Sequence, residues 1–352
     1  MYRKIILILI LMLLISSCNI EHHGTSNTLL SDETNLSNSN FEEKNEVLVS
    51  PFYELFDDAS LINENEFNIE YIDWLSNNEV LVIQYGLGKE RILLANIEKG
   101  RLILLFEKEK EFYGTYSMQD SINEWVVFIG KDVYTISKSD YKTENVFSSN
   151  QVMMNLSSVG NYVYREDTSN YIKNIFTQET YSIPLTGTYD CSENCWSYDG
   201  HYVLLCQVDP YVSPVLFEYV IFDTVEREIV YKTKHRYNTS KNYIWSVQSN
   251  TIYFLSKDNN GIKIEKVNLD NKNNLLCNVE IDNLELICIT DSDKLYLLNN
   301  ENHLIYVFDG TIIDRQISPS LEDKSSFCFS PDGTKIITIS KKNEINFGTI
   351  NY

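Results

Sequence analysis

The sequence predicts an all-β fold, on three observations. Its 352 residues include 24 tyrosines and 16 phenylalanines, and aromatic and β-branched side chains suit the pleated, half-buried surface of a sheet. Only 13 glycines and 6 prolines are present, and they stand between short apolar runs, where strands are punctuated. A unit of apolar strand, tight turn and second apolar strand recurs about every forty residues, and no stretch sustains a helical period.

The N-terminus is different in kind. Tyr2-Arg3-Lys4 supplies positive charge, residues 5–15 are unbroken apolar sequence, and Ile15-Ser16-Ser17-Cys18 closes the run. A secretory signal has a basic start and an apolar stretch of about 7 to 15 residues, whereas a membrane-spanning helix needs about 20. Residues 1–17 are therefore read as a signal peptide. The Ile-Ser-Ser-Cys ending resembles the lipobox of bacterial lipoproteins, which implies lipidation of Cys18 on its sulfur and display on the extracytoplasmic face of the cell membrane. Residues 18–45 are rich in Asn, Ser, Glu and Thr and cannot bury enough apolar area to offset ordering entropy. They read as a flexible polar tether with a reach of about 5 to 6 Å times the square root of its length. His22-His23 lies in this arm, where such a pair ordinarily binds nothing.

Residues 46–352 carry the repeat. Phe327 to Ile339 contains a strand, the turn Ser330-Pro331-Asp332-Gly333 and a second strand, and Cys195 to Leu205 repeats it around Ser197-Tyr198-Asp199-Gly200. Asp-Gly between strands signals a hairpin, because glycine takes positive φ freely and aspartate bonds within the turn. Taking Trp74, Tyr116, Leu156, Trp196, Trp245, Ile289 and Phe329 as equivalent gives spacings of 42, 40, 40, 49, 44 and 40. Four short strands with their turns fill about 40 to 45 residues, the period of a β-propeller blade. The first blade reads as strands at 69–75, 80–85, 91–95 and 102–106. The last is one strand short, and Glu46-Val47-Leu48-Val49-Ser50 is expected to supply its outer strand and close the ring, since an open ring would present unpaired backbone groups. Seven four-stranded blades are expected, with six as the alternative count.

The Phe329 to Gly333 turn, and its copy at Trp196 to Gly200 with Trp and Tyr in place of Phe and Pro, resemble the repeats of TolB-type and WD-repeat-like propellers. The other five copies are degenerate. The resemblance implies a protein-interaction or binding platform.

Charge narrows the partners. Without Arg3 and Lys4 the chain keeps 27 basic and 50 acidic side chains, a formal −23. Nucleic acid is excluded as a favoured partner, and membrane association must come from the lipid rather than from a basic patch. Six cysteines remain after Cys18, namely Cys191, Cys195, Cys206, Cys277, Cys288 and Cys328. Cys195, Cys288 and Cys328 directly precede repeat anchors, where small buried side chains fit. The best disulfide pairs Cys191 with Cys195 or Cys206, given a Cα spacing of about 5.5 Å. The Cys-x-x-x-Cys spacing lacks a second cluster and makes no zinc site, with His201 read as a strand residue. Asp291/Asp293 and Asp258/Asp270 resemble calcium ligands loosely and are first of all turn formers.

No Gly-x-Ser-x-Gly elbow, His-Glu-x-x-His pair or phosphate loop occurs. No catalytic residue, metal ligand or cofactor is assigned. Ligands are expected on the face built by loops that join one blade's outer strand to the next inner strand, together with the middle-strand loops. The candidates there are Phe112, Tyr113, Tyr189, Asp190, Asp209, Tyr211, His235 and Tyr237, with an insertion at 209–214 forming a ridge. Tyrosine offers area with a polar handle. The expected function is a membrane-anchored, non-catalytic platform for an envelope protein, peptide or glycan. The alternatives are a carboxylate- or metal-dependent hydrolase or lyase acting on a carbohydrate or lactone, and a passive structural envelope component.

Overall fold

The computed structural model describes most of the chain from Val49 to Ile350, with the short stretches Glu33–Asn35 and Lys44–Val47. Residues 1–32 and 36–43, the loops 110–115, 149–155, 210–215, 237–241, 310–312, 320–323 and 341–343, and a few shorter gaps lie outside it. The described residues form seven sheets in chain order. The first is a four-stranded antiparallel meander of Asn68–Trp74, Glu79–Gly86, Lys89–Asn96 and Arg101–Glu109, within a few residues of the strands expected. Its central turn places Leu87 and Gly88 at φ 52° and 79°, as a two-residue hairpin requires. Gly86 is obligatory for a different reason, since a Cβ there would lie 1.9 Å from the Glu66 carbonyl oxygen.

The remaining sheets follow the same inner-to-outer order. Among the described residues, the inner strand of the third sheet is represented by the bridge Leu156 to Tyr162, and that of the fourth by the bridges Asp190 to Cys206 and Trp196 to Val203. The strands next to the inner ones are apolar at consecutive positions, for instance Val80, Leu81, Val82 and Ile83, because both faces of each sheet are covered. Adjacent residues then serve opposite joints. Ile83 packs with Trp125 of the second sheet, and Val82 with Ile337 of the seventh. Tyr253 packs with Leu297 of the sixth sheet, and Phe254 with Tyr219 of the fourth. The clusters run from each sheet to the next, and the cluster of Val82 and Ile337 joins the last sheet to the first.

In five of the sheets the inner strand ends at a buried hydroxyl. Ser157, Ser197, Ser246, Thr290 and Ser330 are all buried, each next to its anchor. Ser197 Oγ donates to Asp199 Oδ1 at 2.8 Å and accepts the Tyr202 N–H at 3.0 Å. Ser330 repeats this with Asp332 at 2.6 Å and the Lys335 N–H at 2.9 Å. Three indoles bind sheet to sheet: Trp74, Trp125 and Trp245 each donate Nε1–H at 3.1 Å to a carbonyl of the preceding inner strand, on Cys328, Leu75 and Cys195.

Three expectations need correction. Tyr116 is not the equivalent of Trp74. Anchors are the residues that close the first hairpin, as Trp74 does with Val80, and in the second sheet that pair is Asp120 with Trp125. Aromatic character misled there, because the tryptophan of that repeat has moved to the neighbouring strand. The N-terminal strand is also divided. Lys44–Val47 (β2, after β1 at Glu33–Asn35) pairs in parallel with the outer strand of the sixth sheet, and only Val49–Pro51 (β3) becomes the fourth strand of the seventh. Finally, the polar stretch 18–45 is not wholly tether, because β1 pairs in parallel with Asn273–Val279, the outer strand of the fifth sheet. Backbone groups on a sheet edge recruit a strand whatever its side chains, so composition alone overlooked it.

Candidate functional site

The sheets leave two loop faces. One, the linker face, carries the connections between sheets and the middle-strand loops. The other, the turn face, carries the turns after the inner and third strands.

Half of the predicted site, Phe112, Tyr113, Tyr211 and Tyr237, lies outside the described residues. Asp209 and His235 are placed only by backbone, opposite Leu216 and Phe217. Asp190 is exposed and meets Arg165 at 3.2 Å across the border of sheets three and four. Tyr189 is not an exposed ridge residue. It is buried in the core between those sheets, because the segment leading to Cys191 turns inward, and its hydroxyl donates to Glu218 Oε1 at 2.6 Å. Lys232 and Lys234 reach the same carboxylate at 2.7 and 2.9 Å. Burial alone would raise the Glu218 carboxyl, but hydrogen bonds from Lys232, Tyr189 and Lys234 outweigh it and hold it down to about 2.

Sequence reasoning missed the turn face. A cleft of about 430 Å³ opens there between sheets three and four. His201 Nε2 lies 2.9 Å from Asp223 Oδ1, and its ring stacks on Tyr202 with centroids 4.4 Å apart. Arg227 lies over the Tyr181 ring at 4.5 Å and pairs with Glu179. Asp199, in the turn that floors the cleft, is held down against burial by the His201 N–H, Asn250 and Ser197. Glu179, Arg227, His201 and Asp199 thus each have a polar partner. The available signal was Ser197 to Gly200 itself, a turn whose proline has been replaced by exposed Tyr198.

The cysteines divide as follows. Cys191 and Cys195 form a disulfide with Cα atoms 5.8 Å apart. Cys206, the other candidate, is a free thiol pushed up to about 12 by burial. Cys288 and Cys328 are also free, and burial first, then Asp73, raises both thiols far above the ordinary value. Thiols so placed are packing groups rather than nucleophiles. Asp258 and Asp270 sit at opposite ends of their hairpin, near its middle-strand loop and its third-to-outer turn. Asp291 donates its N–H to the Pro331 carbonyl, and Asp293 accepts from Ser246. Among the described residues, no three His, Cys, Asp or Glu side chains are placed to hold a metal ion.

Successive sheets, each ordered from inner strand to outer, packed face to face and joined last to first, define the β-propeller class. Solved structures agree on the fold. The β-propeller domain of Cps50 (Swd1) from Myceliophteria thermophila is similar with a TM-score of 0.55 and 12% identity, covering 81% of this chain and 98% of that one. A chain of a mitotic checkpoint complex is similar with a TM-score of 0.53 and 15% identity, covering 96% and 99%. No protein-family profile and no curated protein matches the chain.

Proposed function

We propose that the protein is an extracytoplasmic lipoprotein, anchored through lipid on Cys18, whose seven-bladed propeller is a non-catalytic platform for an envelope protein or peptide. The observation that carries this reading is the disposition of charge on the linker face. Arg165 with Asp190 spans the border of sheets three and four, and Lys232 and Lys234 with Glu218 lie across two strands of sheet four, so the described charges there are spread out rather than gathered on one reacting centre. Such arrays give specificity and orientation to a partner of matching charge. The seven sheets and the joint between last and first support the blade count.

The test is crosslinking of the full lipidated protein in envelope membranes, comparing wild type with Arg165→Glu and with Cys18→Ala. The expected result is one defined partner, lost in Arg165→Glu, and release of Cys18→Ala from the membrane. Turnover of a glycoside or lactone by purified protein, with no such partner, would sink the platform reading.

A further inference from the structure

The N-terminal strands fix where the anchor leaves the ring. Outer strands begin at the turn face, since each follows a third-to-outer turn, and β1 runs parallel to the outer strand of sheet five with Glu33 opposite Leu276 and Asn35 opposite Asn278. Glu33 is therefore the turn-face end of β1, and the chain toward Cys18 departs on that side. Fourteen residues separate Cys18 from Glu33, a relaxed reach of about 20 Å and a limit of about 50 Å. The whole of 19–45 as a free tether would have reached about 30 Å relaxed.

The same side of the same sector exposes apolar side chains. Phe176 and Val225 are each 66% exposed, and Val159, Tyr198 and Val247 about half exposed. All five sit on inner or third-to-outer turns of sheets three, four and five. Phe176 lies flat over Gly160, where a Cβ would meet its ring at 2.5 Å, and Val159 covers Gly200. They thus form a supported surface. Arg227 pairs with Glu179 and His201 Nε2 meets Asp223 between them, while Asp199, Glu226 and Asp270 stand on the same turns, so the sector is itself acidic and its hold on a bilayer comes from the apolar side chains and the lipid rather than from charge.

Resting on the lipidation reading above, we propose that the turn face of sheets three to five is the membrane-facing surface, with Phe176, Tyr198 and Val225 seated in the headgroup zone of the bilayer. Aromatic and apolar side chains beside a lipid anchor add a second, weaker attachment, and stable anchoring takes two. The linker face is then turned outward, toward partners.

The test uses the full lipidated chain on vesicles of phosphatidylethanolamine and phosphatidylglycerol, with a benzophenone amino acid at Phe176, at Val225, or at Lys131 on the linker face. Photolysis is expected to give about fivefold more lipid adduct at Phe176 and Val225 than at Lys131. Equal adduct at the three positions, an excess at Lys131, or protein adducts in place of lipid at Phe176 would overturn the proposal. Intact mass and vesicle flotation separate the two failures. Cys18 without lipid overturns both readings, whereas a lipidated, floating protein with no adduct at Phe176 overturns only the orientation. Thermal melts of the three variants verify that each is folded.

Discussion

The Ser197 to Gly200 turn of the fourth sheet and the Ser330 to Gly333 turn of the seventh share one hydrogen-bond pattern, yet the first floors an open cleft while the second seals a joint. In both, a buried hydroxyl gathers the turn and glycine takes positive φ, 71° and 74°. Their neighbours differ. The Asp332 N–H donates to Asn77 Oδ1 at 2.9 Å, and Lys335 reaches Asn78 Oδ1 at 2.7 Å, both in the first sheet. The fourth turn is likewise tied to its following sheet, where Asn250 Nδ2 donates to Asp199 Oδ2 at 3.0 Å, but toward sheet three, where Ser158 donates to the Tyr198 carbonyl at 3.1 Å, a cleft stays open. The motif specifies how the chain reverses; adjoining side chains decide whether the result is sealed or accessible.

The largest effect should come from the apolar joints behind the turns. Ile337→Ala, at the joint of sheets seven and one, and Leu205→Ala, at that of three and four, are each expected to cost about 2–5 kcal/mol. A single cooperative denaturant transition for both would show the two joints to be equivalent parts of one ring. Early loss of sheet seven alone in Ile337→Ala would break the comparison. Next, Gly200→Ala should cost more than the φ penalty alone, which is about 1–2 kcal/mol, because a Cβ there would also lie 2.9 Å from Val159 Cγ2. A loss of stability in denaturant no larger than that penalty would mean that Val159 yields freely and that the cleft edge is soft.

Glu218 supplies a pH test on the linker side of sheet four. Its carboxyl is held at about 2 against an ordinary 4.5, so its contribution is complete above the unfolded value and is lost as pH falls through the folded one. Wild type should therefore lose more melting temperature than Glu218→Gln between those pH values. Parallel curves would mean that Lys232 and Lys234 do not hold the carboxylate in solution. The smallest effect is expected from Tyr198→Pro, which restores the proline of the seventh turn at a half-exposed site. A gain of about 0.4–1 kcal/mol follows from the stiffer unfolded chain, read as a modest rise in melting temperature.

The repeat was legible because each inner hairpin needs a turn-former and a core residue at fixed separation, so Phe329, Trp245 and Trp196 announce themselves. Tyr116 misled for the same reason, since the second repeat put its large aromatic at Trp125. Closure by an N-terminal strand was legible from the missing fourth strand of the last repeat, but its division between two sheets was not, because edge pairing uses backbone groups that no side-chain pattern records. Tyr189 looked exposed on account of its loop setting, and only the carboxylate of Glu218, 29 residues away in sequence, shows why its hydroxyl tolerates burial. The cleft stayed hidden because Glu179, His201 and Arg227 come from separate turns that meet only when two sheets pack.

The pairing of Val49 with Gly348 also sets an order of events in time. The strand Val49–Pro51 emerges early and is held back from its place until its partner strand, Ile345–Thr349, follows about three hundred residues later. Until then the newborn chain carries an orphaned strand at one end and a growing, unsealed arc at the other. Contacts this distant in sequence form late and slowly, so the interval before the ends meet is when the chain is most open to misassembly with its neighbours.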